Sequence, residues 1–383
     1  MNEDKYQIIG NPGERKKPIE ELLEKAGRDK LVREITEKKK EKPAPKRKAA
    51  EKPKKEAKKE KPASLEKIVD LQQTEGNAFI IEDFAFSSDG KYLAGIDGAN
   101  VYAANFIGFH DGSFNSSNFR HHEHKAVVTA VALSPDDRYL ATGSADSFVR
   151  IFDLNKKQDI YKPVVSRKCN KKVLTLAFSP DGKHLAAGGG DSSGFIRLFG
   201  FNGKQLSRME DEKLPNAVQD LMFSKDGEYL ITSDYDLMRI FMYDNLHGLN
   251  LFQTDLHKHP RKFAFSPDGK HLAVIYSLNS RRIFSFDAGY ITEVDDDMSA
   301  NTRKGIVFSP DGKYIATVGK KKSRSDIGYI SISEFKDGKV VPSSGIFKEY
   351  PGETFGNVVF SPDGNYLAVG NQKGIQTFRV KKG

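Results

Sequence analysis

SPDDRYLATGSADSFVRIFDL, residues Ser134 to Leu154, is the stretch that decides the fold. Pro135-Asp136-Asp137 makes a tight turn, in which Pro presets φ and Asp caps the backbone. Tyr139 to Gly143 follows as an apolar strand, Ala145-Asp146-Ser147 turns the chain again, and Val149 to Leu154 is a further strand. Upstream, Val127 to Ser134 (VVTAVALS) alternates small and apolar residues and supplies the first strand. The unit is a chain of short antiparallel strands joined by two tight turns.

The turn phrase recurs seven times, as FSSDGKYLA, LSPDDRYLA, FSPDGKHLA, FSKDGEYLI, FSPDGKHLA, FSPDGKYIA and FSPDGNYLA. Its first serine falls at Ser87, Ser134, Ser179, Ser224, Ser266, Ser309 and Ser361, which gives periods of 47, 45, 45, 42, 43 and 52 residues. Repeats of this length, each holding several strands, belong to propeller blades and not to helical solenoids. Gly stands in six of the seven turns, where the chain reverses and φ > 0 is needed. The third strand has its own echo, Arg-Ile/Leu-Phe, at Arg150–Phe152, Arg197–Phe199, Arg239–Phe241 and Arg282–Phe284.

Over about 320 residues, Leu65 to Val380, the pattern resembles the WD-repeat family of seven-bladed β-propellers. The resemblance implies an all-β fold of four-stranded blades. The sequence has no Trp, so Phe152-Asp153, Phe199-Gly200 and Phe241-Met242 occupy the Trp-Asp positions. The family's His, Ser/Thr, Asp, Trp relay maps onto His124, Thr142 and Asp146, where Phe152 has no hydrogen to donate.

Around and after Ser361 the last unit has room for three strands, near 355–360, 365–370 and 374–380, so a fourth must come from elsewhere. Leu65 to Gln72 (LEKIVDLQ) precedes the first unit without a repeat of its own. The arithmetic predicts that it is the outer strand of the last blade and ties the ends of the domain together. The expected division is therefore an N-terminal arm over 1–63 and a propeller over 64–383.

The net charge of +9 belongs to the arm. Lys38 to Pro62 holds 13 Lys/Arg and 4 Glu, and the other 358 residues carry 48 basic and 48 acidic side chains. With no aromatic or branched apolar residue, that stretch reads as a disordered linker over 38–63. Ahead of it, Ile19, Leu22, Leu23 and Ala26, then Leu31, Val32 and Ile35, space out two short helices over about 18–38. PAPKRKAAEKPKK, residues 43–55, reads either as a solvated spacer or as a segment for nuclear import or nucleic-acid contact. Without interleaved aromatics, such contact would be sequence-blind and salt-sensitive. A single cysteine, Cys169, excludes an intrachain disulfide framework, and no apolar run nears the ~20 residues of a membrane helix. We expect a soluble, intracellular protein, cytoplasmic or nuclear, without membrane insertion.

No catalytic constellation emerges. His184 and His271 fill a repeat position held elsewhere by Tyr92, Tyr139, Tyr229, Tyr314 and Tyr366, so they read as structural ring residues. HHEHK (121–125) and LHKHP (256–260) cluster histidines without the carboxylates or cysteines of a metal site. Gly188-Gly189-Gly190 lacks the helix and lysine of a phosphate loop. The expectation is no cofactor, no metal and no enzymatic activity. A propeller lactonase is the enzyme alternative, and it would need acids and bases converging on the central channel.

On the face of the second turns and blade-to-blade loops, the fifth unit brings Lys258, Arg261, Lys262, Arg281 and Arg282. The sixth brings Arg303, Lys304, Lys320, Lys321, Lys322 and Arg324, several of them on a long loop, Gly319 to Gly328. Asp295, Asp296 and Asp297 are placed in the loop leading into the sixth unit. This arc is the candidate docking site for an acidic or phosphorylated peptide. The expected function is a non-catalytic interaction scaffold, a monomer or a member of a hetero-complex. The alternative is a nucleic-acid or ribonucleoprotein-associated factor.

Overall fold

The serine opening each phrase makes the hairpin. Its hydroxyl donates to the aspartate two residues on, at 2.7 Å from Ser87 to Asp89, 2.5 Å from Ser134 to Asp136 and 2.6 Å from Ser179 to Asp181, and likewise in the other four copies. The same oxygen accepts the backbone N–H of the Tyr or His five residues on, at 2.9–3.0 Å in every copy. All seven serines are buried. Burial pushes the carboxyls of Asp89, Asp181, Asp268 and Asp363 up, but the hydroxyl and backbone N–H bonds outweigh it and hold all four below the usual carboxylate range.

In the computed structural model the described residues are 64–72, 83–96, 104–110, 113–114, 119–121, 124–156, 162–244, 248–255, 257, 259–277, 280–298, 301–321, 324–371 and 374–381. The chain divides between Lys59 and Glu60, and every described residue lies in the second part. The helices and linker expected before residue 64 lie outside the described residues.

These residues form seven antiparallel sheets. Six have four strands. The first has five, because its third strand, Ala104–His110, pairs with both Ser113–Phe114 and Phe119–His121. The innermost strands touch in cyclic order, and that of the first sheet meets those of both the second and the seventh, so the sheets are seven blades around an axis. The last blade consists of Phe355–Phe360, Tyr366–Asn371, Gly374–Lys381 and, as its outer strand, Ser64–Gln72. Ser64–Gln72 pairs antiparallel with Gly374–Lys381, and Leu65 is buried in the seventh blade's core.

Apolar clusters fill the spaces between blades, and the repeated Tyr/His position anchors them. Tyr139 meets Phe201 of the next blade edge-on at 4.9 Å, His184 meets Tyr243 at 5.1 Å, Tyr229 meets Phe286 at 5.7 Å and His271 meets Phe335 at 5.3 Å. The Gly188–Gly190 run is steric. A Cβ at Gly189 would lie 2.1 Å from the Lys172 carbonyl, and one at Gly188 2.7 Å from Leu221.

The phrase turns also touch one another around the axis. Five of the six turn glycines face the Pro position of the preceding unit: a Cβ on Gly182 would lie 3.6 Å from Pro135, one on Gly227 3.4 Å from Pro180, and one on Gly90 3.3 Å from Pro362 across the closure. The exception is reciprocal. Unit one has Ser88 in place of Pro, and unit two has Asp137, at φ +56°, in place of Gly. Asp137 accepts the Ser88 N–H at 2.8 Å, the Ser88 hydroxyl at 2.5 Å and the Asp89 N–H at 3.3 Å.

Candidate functional site: the axial cavity

Five inner strands break register once near their start, between Val128 and Ala130, Val173 and Thr175, Pro260 and Lys262, Arg303 and Gly305, and Phe355 and Val358. A bulge leaves one residue out of the ladder and re-aims its side chain. The residues set apart include Thr129, Leu174, Arg261, Lys304 and Gly356, and all five line a cavity of about 330 Å³ on the axis. Asp83, Gln219, Asp220, Lys262 and Ser277 complete its polar wall, so all seven blades contribute. In sequence these bulge residues stand five places before the phrase serine. The matching residues are Gln219 in the fourth unit and Glu82, outside the described residues, in the first.

Acids and bases therefore do converge on the axis, but the acids are engaged. Asp83 Oδ2 accepts the N–H of Val131 from the second blade at 2.8 Å. Asp220 Oδ2 accepts the N–H of Phe263 from the fifth blade at 3.4 Å, and Lys262 Nζ lies 3.6 Å from its Oδ1. Burial pushes the Asp220 carboxyl up, against the pull of Lys262. Arg261 Nε donates to Ser277 Oγ at 2.6 Å, and its guanidinium lies 6.0 Å from the ring of Tyr235, which is 53% exposed. Lys304 has no ion pair among the described residues. Nor do those residues include a group of three or more His, Cys, Asp or Glu placed to hold a metal ion.

The expected arc is not one surface. Arg261, Lys262 and Lys304 gather at the cavity. Arg281 is buried at 5% exposure, with Asp295 3.9 Å away, and Arg282 pairs with Glu293 and, at 3.4 Å, with Asp296. The reason is that Asp295–Asp297 do not lie in a loop. They belong to the fifth blade's outer strand, Tyr290–Met298, in register with Ser280–Asp287. Lys321 donates to Glu349 at 2.7 Å, and Lys320 is half-buried. Most of the expected 319–328 loop is strand, because Tyr314–Lys321 and Arg324–Lys336 extend the hairpin. Lys258 and Lys322 lie outside the described residues. Arg303 and Arg324 are placed in strands.

The relay residues of the second blade do come together. His124 Nε2 lies 2.7 Å from Thr142 Oγ1, and Nδ1 lies 3.2 Å from Asp146 Oδ2. Asp146 also accepts the N–H groups of Lys125 and Phe148. Where Phe152 donates nothing, Arg150 serves instead, with Nη1 2.9 Å from Asp146 Oδ2 and 2.5 Å from His124 Nδ1. Burial and the Arg150 charge push His124 down to about 4. The imidazole is thus neutral and accepts from Arg150. The other echo arginines pair with an acid of their own blade, Arg197 with Asp211 at 2.6 and 2.7 Å, and Arg239 with Asp234. This buried cluster holds a blade together.

Comparison with known proteins agrees with this geometry. The family model described as WD domain, G-beta repeat matches residues 115–153 and 161–199. Each match spans the outer strand of one blade and the inner three of the next, the same stagger by which Ser64–Gln72 precedes the first blade. No curated protein matches the sequence. Among solved structures, the β-propeller domain of Myceliophteria thermophila Cps50 (Swd1) is similar with a TM-score of 0.65 at 16% identity, covering 82% of this chain and 100% of that one. Two stretches of the chain thus match the WD40 repeat model, and the fold is a seven-bladed β-propeller.

Proposed function

We propose that this propeller is a non-catalytic scaffold that docks a protein partner on its loop face, across the axial mouth, and that the contacting partner segment is acidic. The observation carrying this reading is that Arg261 and Lys304 line a cavity whose two acids already serve neighbouring backbone N–H groups, with exposed Tyr235 beside Arg261. Aromatic rings beside arginine are the residues that most often dominate binding energy at an interface. The rigid ring of blades supports them by fixing their positions before a partner arrives.

The test is affinity capture with the full chain, its Tyr235→Ala and Lys304→Glu variants and, as a control away from the cavity, Lys321→Glu. Proteins retained by wild type and the control but lost from both mouth variants are the expected result. Equal recovery on all four baits would refute the assignment.

A further inference from the structure

Resting on that docking reading, we propose that the axial cavity accepts a phosphoryl group, held by Lys304, Arg261 and Ser277. The wall offers more positive charge and more donors than one carboxylate would use. Arg261 is fixed through Nε by Ser277, which leaves its terminal nitrogens outside any pairing among the described residues. Ser277 Oγ, already an acceptor from Arg261, retains its own proton to donate. Lys304 enters from the sixth blade through its bulge, and Lys262 stands behind on Asp220. A phosphoryl dianion brings three acceptor oxygens and nearly two charges, whereas a carboxylate brings two oxygens and one charge. A volume of about 330 Å³ admits such a group with the atoms that carry it. Both acids are turned to other partners, Asp83 to the Val131 N–H and Asp220 to the Phe263 N–H and Lys262.

The group could arrive on a phosphorylated residue of the partner or as a free phosphate compound, and the experiment separates the two. Full-length wild type, Lys304→Gln, Arg261→Gln and Lys321→Gln are titrated calorimetrically with pyrophosphate. A phosphoserine peptide and its unphosphorylated twin follow. Since each mouth variant removes a charged donor to the group, it should weaken binding by about tenfold or more, while Lys321→Gln binds as wild type. Binding of the phosphopeptide alone assigns the group to a partner, and binding of pyrophosphate assigns it to a free compound. Should Lys304→Gln lower the melting temperature, Lys304→Arg must restore both fold and binding. No binding of either probe, or equal binding by all four proteins, overturns the inference. If Tyr235→Ala still abolishes partner capture in that event, the docking reading survives and only the phosphoryl chemistry is lost.

Discussion

Ser88 and Asp137 break the repeated phrase in complementary ways, and exchanging both for the residues of the other units is the sharpest test of how the turns are coupled. Ser88→Pro alone removes two donors from the Asp137 carboxylate and sets a pyrrolidine ring against it. Asp137→Gly alone strips the acceptor from Ser88 N–H, Ser88 Oγ–H and Asp89 N–H, but frees the residue at φ +56° from its Cβ. All three hydrogen bonds are exposed, so together they are worth about 1–2 kcal/mol and not the sum of buried ones. Relief of the left-handed conformation returns about 1 kcal/mol, and Pro at a compatible site returns about 0.4–1 kcal/mol through the unfolded chain. Ser88→Pro should therefore cost up to about 2 kcal/mol, and Asp137→Gly between about 0 and 1 kcal/mol. The double variant regains the Pro–Gly contact seen between the second and third units and should come within about 0.5 kcal/mol of wild type or exceed it. Urea unfolding of the four proteins gives the coupling energy, expected at about 1–2 kcal/mol in favour of the pair. Additivity within about 0.4 kcal/mol would show that the turns do not communicate, and the argument would fail.

His124 provides a pH test. Its folded pKa, about 4, lies below the unfolded value, so the native cluster favours the neutral ring. Stability from this site is complete above about pH 6.5 and falls as the pH drops toward 4, by up to about 3 kcal/mol. In His124→Gln the loss of urea stability between pH 7 and 4.5 should be smaller by most of that amount, and parallel curves for the two proteins would remove the assignment. Ser179→Ala should cost about 1–3 kcal/mol, because it removes a buried hydroxyl and leaves the part-buried His184 N–H without its acceptor, whereas Pro180→Ala should cost under about 1 kcal/mol. An equal effect of the two substitutions would mean that the serine is not the pivot. Deleting residues 64–72 strips the last blade of its outer strand and uncovers the cluster around Phe378 and Val380. Calorimetry should then show a lower, broader transition, and an unchanged melting temperature would refute the role of that strand in closure.

The propeller was legible because its determinants are local. Turn chemistry within nine residues repeats seven times, and that pattern survives the loss of every Trp because the phrase turns and the Tyr/His pairs between blades do not use it. The need for a fourth strand in the last blade could be counted for the same reason. What the reading missed was non-local or hidden by a bulge. Arg281 and Arg282 looked like surface charge until the outer strand laid Glu293, Asp295 and Asp296 against them, and no spacing along the chain announces that register. A bulge suspends strict alternation, so Thr129 reads as an ordinary strand position, and Arg261 and Lys304 read as members of a surface arc and not as residues turned toward the axis. Their signal is positional, five residues before each phrase serine, and it becomes visible only once the units are aligned. The serine itself passed as turn composition, although its hydroxyl makes the two bonds that close every hairpin.

These two positions divide the labour of the molecule. The phrase serine never varies over seven units, because changing it would leave the strand's first N–H unpaired and open the turn against which its neighbour packs. The position five residues earlier holds Thr129, Leu174, Gln219, Arg261, Lys304 and Gly356, six residues of unlike charge and size, and none of them carries a hairpin. A ring that tolerates such variety there without altering its blades has separated what it must keep in order to fold from what it is free to set in order to bind. The cationic sector formed by the fifth and sixth blades is then a property of two substitutable side chains on a common frame. That is why the charge at Lys304 should be removable with little change in stability, while the serine five residues beyond it should not.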